Sequence, residues 1–208
     1  MYRPKKPIST SGQVQEILGE KFDNQERKAI NHIDDICRDW IERSPFLTVA
    51  TVNKKGQVDV APKGDPPGFV KVLDKKTLAI PDRLGNNRGD TFHNIIDNPR
   101  VGLLFIVPIR NEVLRVSGSA QIIQDDDILE KMIVNDRRPD MALLVHVEEA
   151  MYHCGKSMIR SKMWKPAEWA SVEGLPSYAL AVKTHAGMPE PLEHYEAMMK
   201  YNDEERLY

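Results

Sequence analysis

Apolar positions change their rhythm twice along this chain. Over residues 11–43 they recur at helical spacing. Val14, Ile17 and Leu18 share one face, and Ile30, Ile33, Ile36, Cys37, Trp40 and Ile41 return every three or four positions. Two helices are expected there, ended by Ser44-Pro45, because the residue before proline avoids the α conformation. The rhythm then shortens to two. Phe46-Leu-Thr-Val-Ala-Thr-Val52 is rich in β-branched residues, Asn53-Lys-Lys-Gly-Gln57 supplies turn chemistry, and residues 57–61 alternate again, which makes a hairpin. Residues 68–73 and 77–80 predict two more short strands. Val101-Gly-Leu-Leu-Phe-Ile-Val107 is an unbroken apolar run, as expected of a strand buried on both faces. From residue 113 to 122, Leu114, Val116, Gly118, Ala120 and Ile122 alternate with Val113, Arg115, Ser117, Ser119 and Gln121.

Helical spacing resumes after Asp125, with Ile128, Leu129, Met132 and Ile133. One further strand is expected over 141–147, a helix over 154–164 and a looser helix over 189–201. Short antiparallel strands separated by turns, with no regular strand–helix alternation, predict a mainly β fold with peripheral helices. An antiparallel barrel of six or more strands fits better than a doubly wound sheet. The organisation is then N-terminal helices over 1–43 packed on a barrel core over 44–150, with a helical region of the same domain over 151–208.

Composition narrows the partners. The chain has 208 residues, with 29 Lys plus Arg against 31 Asp plus Glu and a formal charge of -2. That leaves no basic footprint for nucleic acid. Cys37 and Cys154 are too few for a disulfide framework. The first ten residues carry no apolar leader, and the longest apolar run, 101–109, is far too short to span a bilayer. A cytoplasmic protein without a membrane partner is the expectation. The six histidines, at 32, 93, 146, 153, 185 and 194, form no zinc spacing, and Asp125-Asp126-Asp127 lacks the ligand pattern of a calcium loop. No metal is expected.

The stretch from Ala79 to Asn98 carries the chemistry. A strand ends at Ile80-Pro81, a polar turn holds Asp82, Arg83, Gly85, Asn86, Asn87 and Arg88, and a short helix follows with Phe92, Ile95 and Ile96 expected on its buried face. Arg88 therefore falls at a helix N-terminus, where free N–H groups and the positive dipole end favour an anion and a guanidinium can grip phosphate oxygens. The same residues read equally as a solvated turn capping a helix. Lys63, where a strand runs out into a loop, is either a second cation for a phosphate or an ordinary surface lysine. No Gly-x-Gly-x-x-Gly and no Walker-type motif is present. Further on, Lys156, Arg160 and Trp164 fall at steps of four, either as a basic, aromatic wall or as solvated cations above apolar packing.

The order of these pieces resembles a known family. A hairpin begins Thr48-Val-Ala-Thr-Val52, a strand ends in Pro62-Lys63, and Asn87-Arg88 opens a helix. Asn98-Pro-Arg-Val-Gly-Leu-Leu-Phe105 and Leu114-Arg-Val-Ser-Gly118 follow. This succession, over about residues 44–124, resembles the pyridoxamine 5′-phosphate oxidase-like family of split barrels that bind flavin mononucleotide (FMN). The resemblance implies a homodimer with FMN at the subunit interface and an FMN-dependent oxidoreductase acting on a small molecule. It implies that Lys63, Asn87 and Arg88 meet the phosphate, and that Ile80 and Pro81 turn their backbone to the flavin. Asp82 and Arg83 stand beside them, and Arg115 occupies the basic position of the Arg-Val-x-Gly strand. The family's usual Lys after the phosphate Arg is Gly89 here, a missing cation that Arg83 could replace. Glu112-Val113 stands where an Arg-Gln pair is usual. The Arg-Leu-x-Pro signature that holds pyridoxamine phosphate is missing after Arg206-Leu207-Tyr208, so vitamin B6 oxidation is not expected. The alternatives on the same barrel are a non-enzymatic flavin-binding or redox-sensing protein, a haem protein with His93 or His153 as first axial candidates, and use of the deazaflavin F420.

Overall fold

The computed structural model describes residues 2–20, 22 and 24–208. Seven strands, all paired antiparallel, form one sheet. They are β1 (Phe46–Val52), β2 (Val58–Gly64), β3 (Lys71–Asp74), β4 (Thr77–Pro81), β5 (Arg100–Ile106), β6 (Val113–Ile123) and β7 (Ala142–His153), in the order β2-β1-β5-β6-β7-β4-β3. The sheet curls but does not close. β2 and β3 are its two edges, and the barrel is split between them.

Local chemistry sets the hairpins. Between β1 and β2 the Asn53 side-chain oxygen accepts from the N–H groups of Lys55 and Gln57 at 2.9 and 3.1 Å, and Gly56 supplies a φ of 78°. Register then puts Leu47, Val49, Leu103, Phe105, Leu114 and Val116 on one face, each at most 1 % exposed, with Leu78, Ile80, Val145 and Val147 closing the core from the other side. Each such side chain contributes about 1.5–3 kcal/mol by leaving water.

Several elements differ from expectation. Among the described residues the N-terminal region holds three helices, α1 (Ser11–Leu18), α2 (Asn24–Arg27) and α3 (Asp35–Arg43). Ile30 and Ile33 are not helical. Ile30 exchanges two backbone hydrogen bonds with Ala150 of β7, and Asp34 starts α3 by accepting from the Cys37 N–H at 2.8 Å. The strand expected over 68–73 lies over Lys71–Asp74. β5 is buried on one face only: Val101, Leu103 and Phe105 face the core, while Gly102, Leu104 and Ile106 are half-buried. β7 runs six residues beyond the expected end at Val147, across a bulge opposite Ser117 and Gly118.

After β4 comes α4 (Asp90–Asp97), and after β6 the short α5 (Asp126–Leu129) continues into a 3-10 turn at Glu130–Met132. The helix expected over 154–164 is the single turn α6 (Lys156–Arg160). Trp164 lies beyond it and donates its indole N–H to the Arg110 carbonyl at 2.7 Å, so Lys156, Arg160 and Trp164 do not share one helical face. Two helices close the chain, α7 (Tyr178–Ala186), which sequence patterning missed, and α8 (Leu192–Glu205); they pack on each other. Among the described residues no helix is long and apolar enough to cross a membrane.

Candidate functional site

A cleft of about 1190 Å3 opens beside the free edge of β2. The end of β4 and the loop from Asp82 to Gly89 form one wall, the start of α4 another. Residues 137–141 and the segment after α8 complete it. Lys63, Pro81, Asp82, Arg83, Asn87 and Arg88 all line it, so six of the eight residues singled out from sequence come together.

Lys63, Arg83 and Arg88 each stand against a carboxylate. Lys63 Nζ lies 3.0 Å from Asp82 Oδ1 and 5.1 Å from the centre of the Phe92 ring. Arg88 is exposed and shares two contacts of 2.8 Å with Asp90, which holds its guanidinium still more firmly in the charged form. Arg83 is committed more deeply. Its Nε donates to Asp65 Oδ2 at 2.6 Å and its Nη2 to the Met132 carbonyl at 2.7 Å, and the Tyr208 ring stands 5.6 Å away. Two of its three guanidinium nitrogens are therefore engaged within the chain.

The start of α4 is built to leave backbone donors open. Gly89 is the N-cap, with φ 63° in the left-handed region, and no side chain caps the helix. Asn87 is also left-handed, at φ 58°. The buried face of α4 is Thr91, Asn94 and Ile95, whereas Ile96, expected inside, is 74 % exposed and Phe92 is half-buried. Polar pairing sets this rotation: Asn94 Nδ2 donates to Thr51 Oγ1 at 3.0 Å, and Thr91 donates to Asp59 at 3.2 Å.

The other two residues lie elsewhere. Ile80 is fully buried, its side chain in the main hydrophobic core. Arg115 is on the outer face of β6, in one cross-strand row with Leu104, Thr48 and Pro62, and pairs with Glu149. Within one chain it is on the opposite face of the sheet from Lys63. His93 is exposed on α4. His153, at the end of β7, is biased toward the neutral form by burial and then by the nearby Arg115 and Lys28. No group of three or more His, Cys, Asp and Glu residues able to hold a metal occurs among the described residues.

Sequence reasoning missed Asp65, Tyr208, Arg137 and Arg138. Asp65 is 1 % exposed at its side chain and accepts from Tyr208 at 2.6 Å. A buried carboxylate directly after a hairpin strand gives no periodic signal, and its partner is 143 residues away.

An open antiparallel barrel with a cationic loop and an uncapped helix start at its seam defines a split barrel. Residues 33–154 match the family model described as pyridoxamine 5′-phosphate oxidase. The chain belongs to that family, and its fold is the family's FMN-binding split barrel. No curated protein matches the chain significantly. Among solved structures it is similar to HupZ from Group A Streptococcus, at 26% identity over 57% of this chain and 91% of that one, with TM-score 0.47. It is also similar to an F420 reductase (19% identity, 58% and 98% covered, TM-score 0.42). A third similar structure is an FMN-binding protein from Syntrophomonas wolfei (12% identity, 55% and 86% covered, TM-score 0.42).

Proposed function

We propose that this chain binds FMN in the cleft as a homodimer and works in the cytoplasm as an FMN-dependent oxidoreductase on a small molecule. One observation carries the reading: the uncapped start of α4, entered through Asn87 and Arg88, faces the end of β2 that carries Lys63. Open N–H groups, a helix dipole and two cations suit the dianionic phosphate of a mononucleotide. The donor set therefore fits the group. Lys63, Asn87 and Arg88 would hold the phosphate, with Pro81, Asp82 and the Ile80 backbone beside the ring system. Arg83 offers its one remaining nitrogen. When bound, FMN supplies an acceptor for a hydride or an electron pair. The chain's own residues orient it and wall off water.

The homodimer reading rests on the outer face of β2, β1 and β5, where Val58 is 72%, Val60 59% and Phe46 37% exposed. The row Pro62, Thr48, Leu104, Arg115 spans three strand spacings, roughly 14 Å. A two-fold axis between β1 and β5 would lay Arg115 of a second copy over Pro62 at the cleft rim, as a self-complementary contact requires. The cytoplasmic reading draws on the exposed free thiol of Cys154, which suits a reducing compartment.

The test is the visible spectrum of the purified protein before and after FMN addition, with sedimentation of both forms. Flavin absorption that co-migrates with a dimer and is lost in Arg88→Ala supports the reading. A colourless monomer that takes up no FMN overturns it. Turnover with a panel of reductants then separates an oxidoreductase from a flavin-binding sensor, and a Soret band would favour haem.

A further inference from the structure

We propose that the segment after α8 is a strap across the cleft, latched by Tyr208 onto the Asp65–Arg83 pair, so that a ligand escapes only when the latch opens. The proposal rests on the cleft being the ligand site.

Glu205, Arg206 and Tyr208 line the same cleft as Lys63, Asn87 and Arg88. The strap is held at two points. On one side it continues α8, which is braced against α7. On the other, the Tyr208 hydroxyl donates to Asp65 Oδ1 at 2.6 Å and its ring stands 5.6 Å from the Arg83 guanidinium. The base of the latch does not depend on the strap. Asp65 keeps Arg83 Nε at 2.6 Å on its other oxygen, and Arg83 is held in turn by the Met132 carbonyl at 2.7 Å.

That asymmetry is what makes a latch rather than a fixed brace. A buried carboxylate left alone is strongly unfavourable, but Asp65 retains its cation when Tyr208 departs. Opening therefore gives up one charge-assisted hydrogen bond and one ring–cation contact, and orphans no charge. With the latch engaged, the loop from Asp82 to Gly89 and the strap both line the one cleft.

The experiment uses the full chain and two variants, Tyr208→Phe, which keeps the ring, and Tyr208→Ala, which removes it. FMN release is timed by recovery of flavin fluorescence. Hydrogen exchange of residues 200–208 is measured in ligand-free protein. Loss of the hydrogen bond should speed both release and exchange in Tyr208→Phe by roughly tenfold, with a larger effect in Tyr208→Ala. Unchanged exchange in both variants overturns the latch. Faster exchange with unchanged FMN release shows a brace that does not gate the cleft, and overturns the proposal too. If FMN does not bind at all, the cofactor reading and with it the gate fail, while exchange still reports the latch itself.

Discussion

Gly118 of β6 faces the carbonyl of His146 on β7 so closely that a Cβ at Gly118 would lie 1.9 Å from the carbonyl oxygen and 3.0 Å from its carbon. The contact falls where the β6–β7 register slips by one residue, with Ser117 opposite Glu149 and Gly118 opposite Val147. Glu148 is the residue left over, and it reaches out to make a two-pronged pair with Arg100 at 2.6 and 2.7 Å. The bulge needs a glycine because two backbones meet there.

Gly118→Ala should therefore destabilise the fold by about 3 kcal/mol or more, against the usual change of about 1 kcal/mol for a point substitution. Thermal unfolding checks this, and a melting temperature indistinguishable from the parent's would refute it. Glu148→Gln, which only weakens an exposed pair, should leave the melting temperature close to the parent's.

The Asn94–Thr51 pair gives a second prediction. Both side chains are buried, and each satisfies the other. Asn94→Ala should cost about 1–3 kcal/mol by stranding the Thr51 hydroxyl, while the double change to Asn94→Leu and Thr51→Val should recover part of that loss. Denaturant unfolding of the three variants measures the difference.

Arg88 and Asp90 should respond with opposite signs. Arg88→Ala removes a phosphate donor and should weaken FMN binding at least about tenfold. Asp90→Asn frees Arg88 and takes a negative charge from the helix start, so it should tighten binding several-fold, with the effect fading in salt. Fluorescence titration at low and high salt decides the matter.

The two thiols should differ in reactivity and in their effect on pH stability. Burial, then the Asp34 side chain, pushes the Cys37 thiol up to about 12 from 9.0, whereas Cys154 is exposed. A disulfide thiol reagent should find one thiol per folded chain and two per unfolded chain. Between pH 9.0 and about 12 the unfolded chain binds fewer protons at Cys37 than the folded one, so stability falls with rising pH there. The slope reaches at most about 1.4 kcal/mol per pH unit, and no such loss occurs below that window. In Cys37→Ala that part of the slope should vanish.

What the sequence disclosed was local. β1 announces itself through its β-branched residues, β5 through an unbroken apolar run and β6 through alternation, and Asn87-Arg88 through its place before a helix. Ile96 escapes the pattern because apolarity alone does not reveal that Asn94 and Thr91 have polar partners inside. Ile30 leaves the helical rhythm because its partner, Ala150, lies far along the chain in β7, a pairing that spacing cannot show. Helix α7 buries only Ala179, so it has hardly any apolar stripe to detect. Its caps were legible, since Ser177 accepts from the Leu180 N–H at 3.2 Å and Gly187 ends it at φ 62°. Tyr208 and Asp65 carried no local signal at all.

Pro62 sits in the middle of β2, an edge strand. Proline has no N–H to give, and it is tolerated in a sheet where its nitrogen turns away from a neighbour. The rim of the split is thus interrupted halfway along. A strand from another molecule trying to zip onto β2 would find its ladder broken, which protects the chain from growing into a polymer at its most vulnerable margin. The barrel can remain ajar without becoming a template.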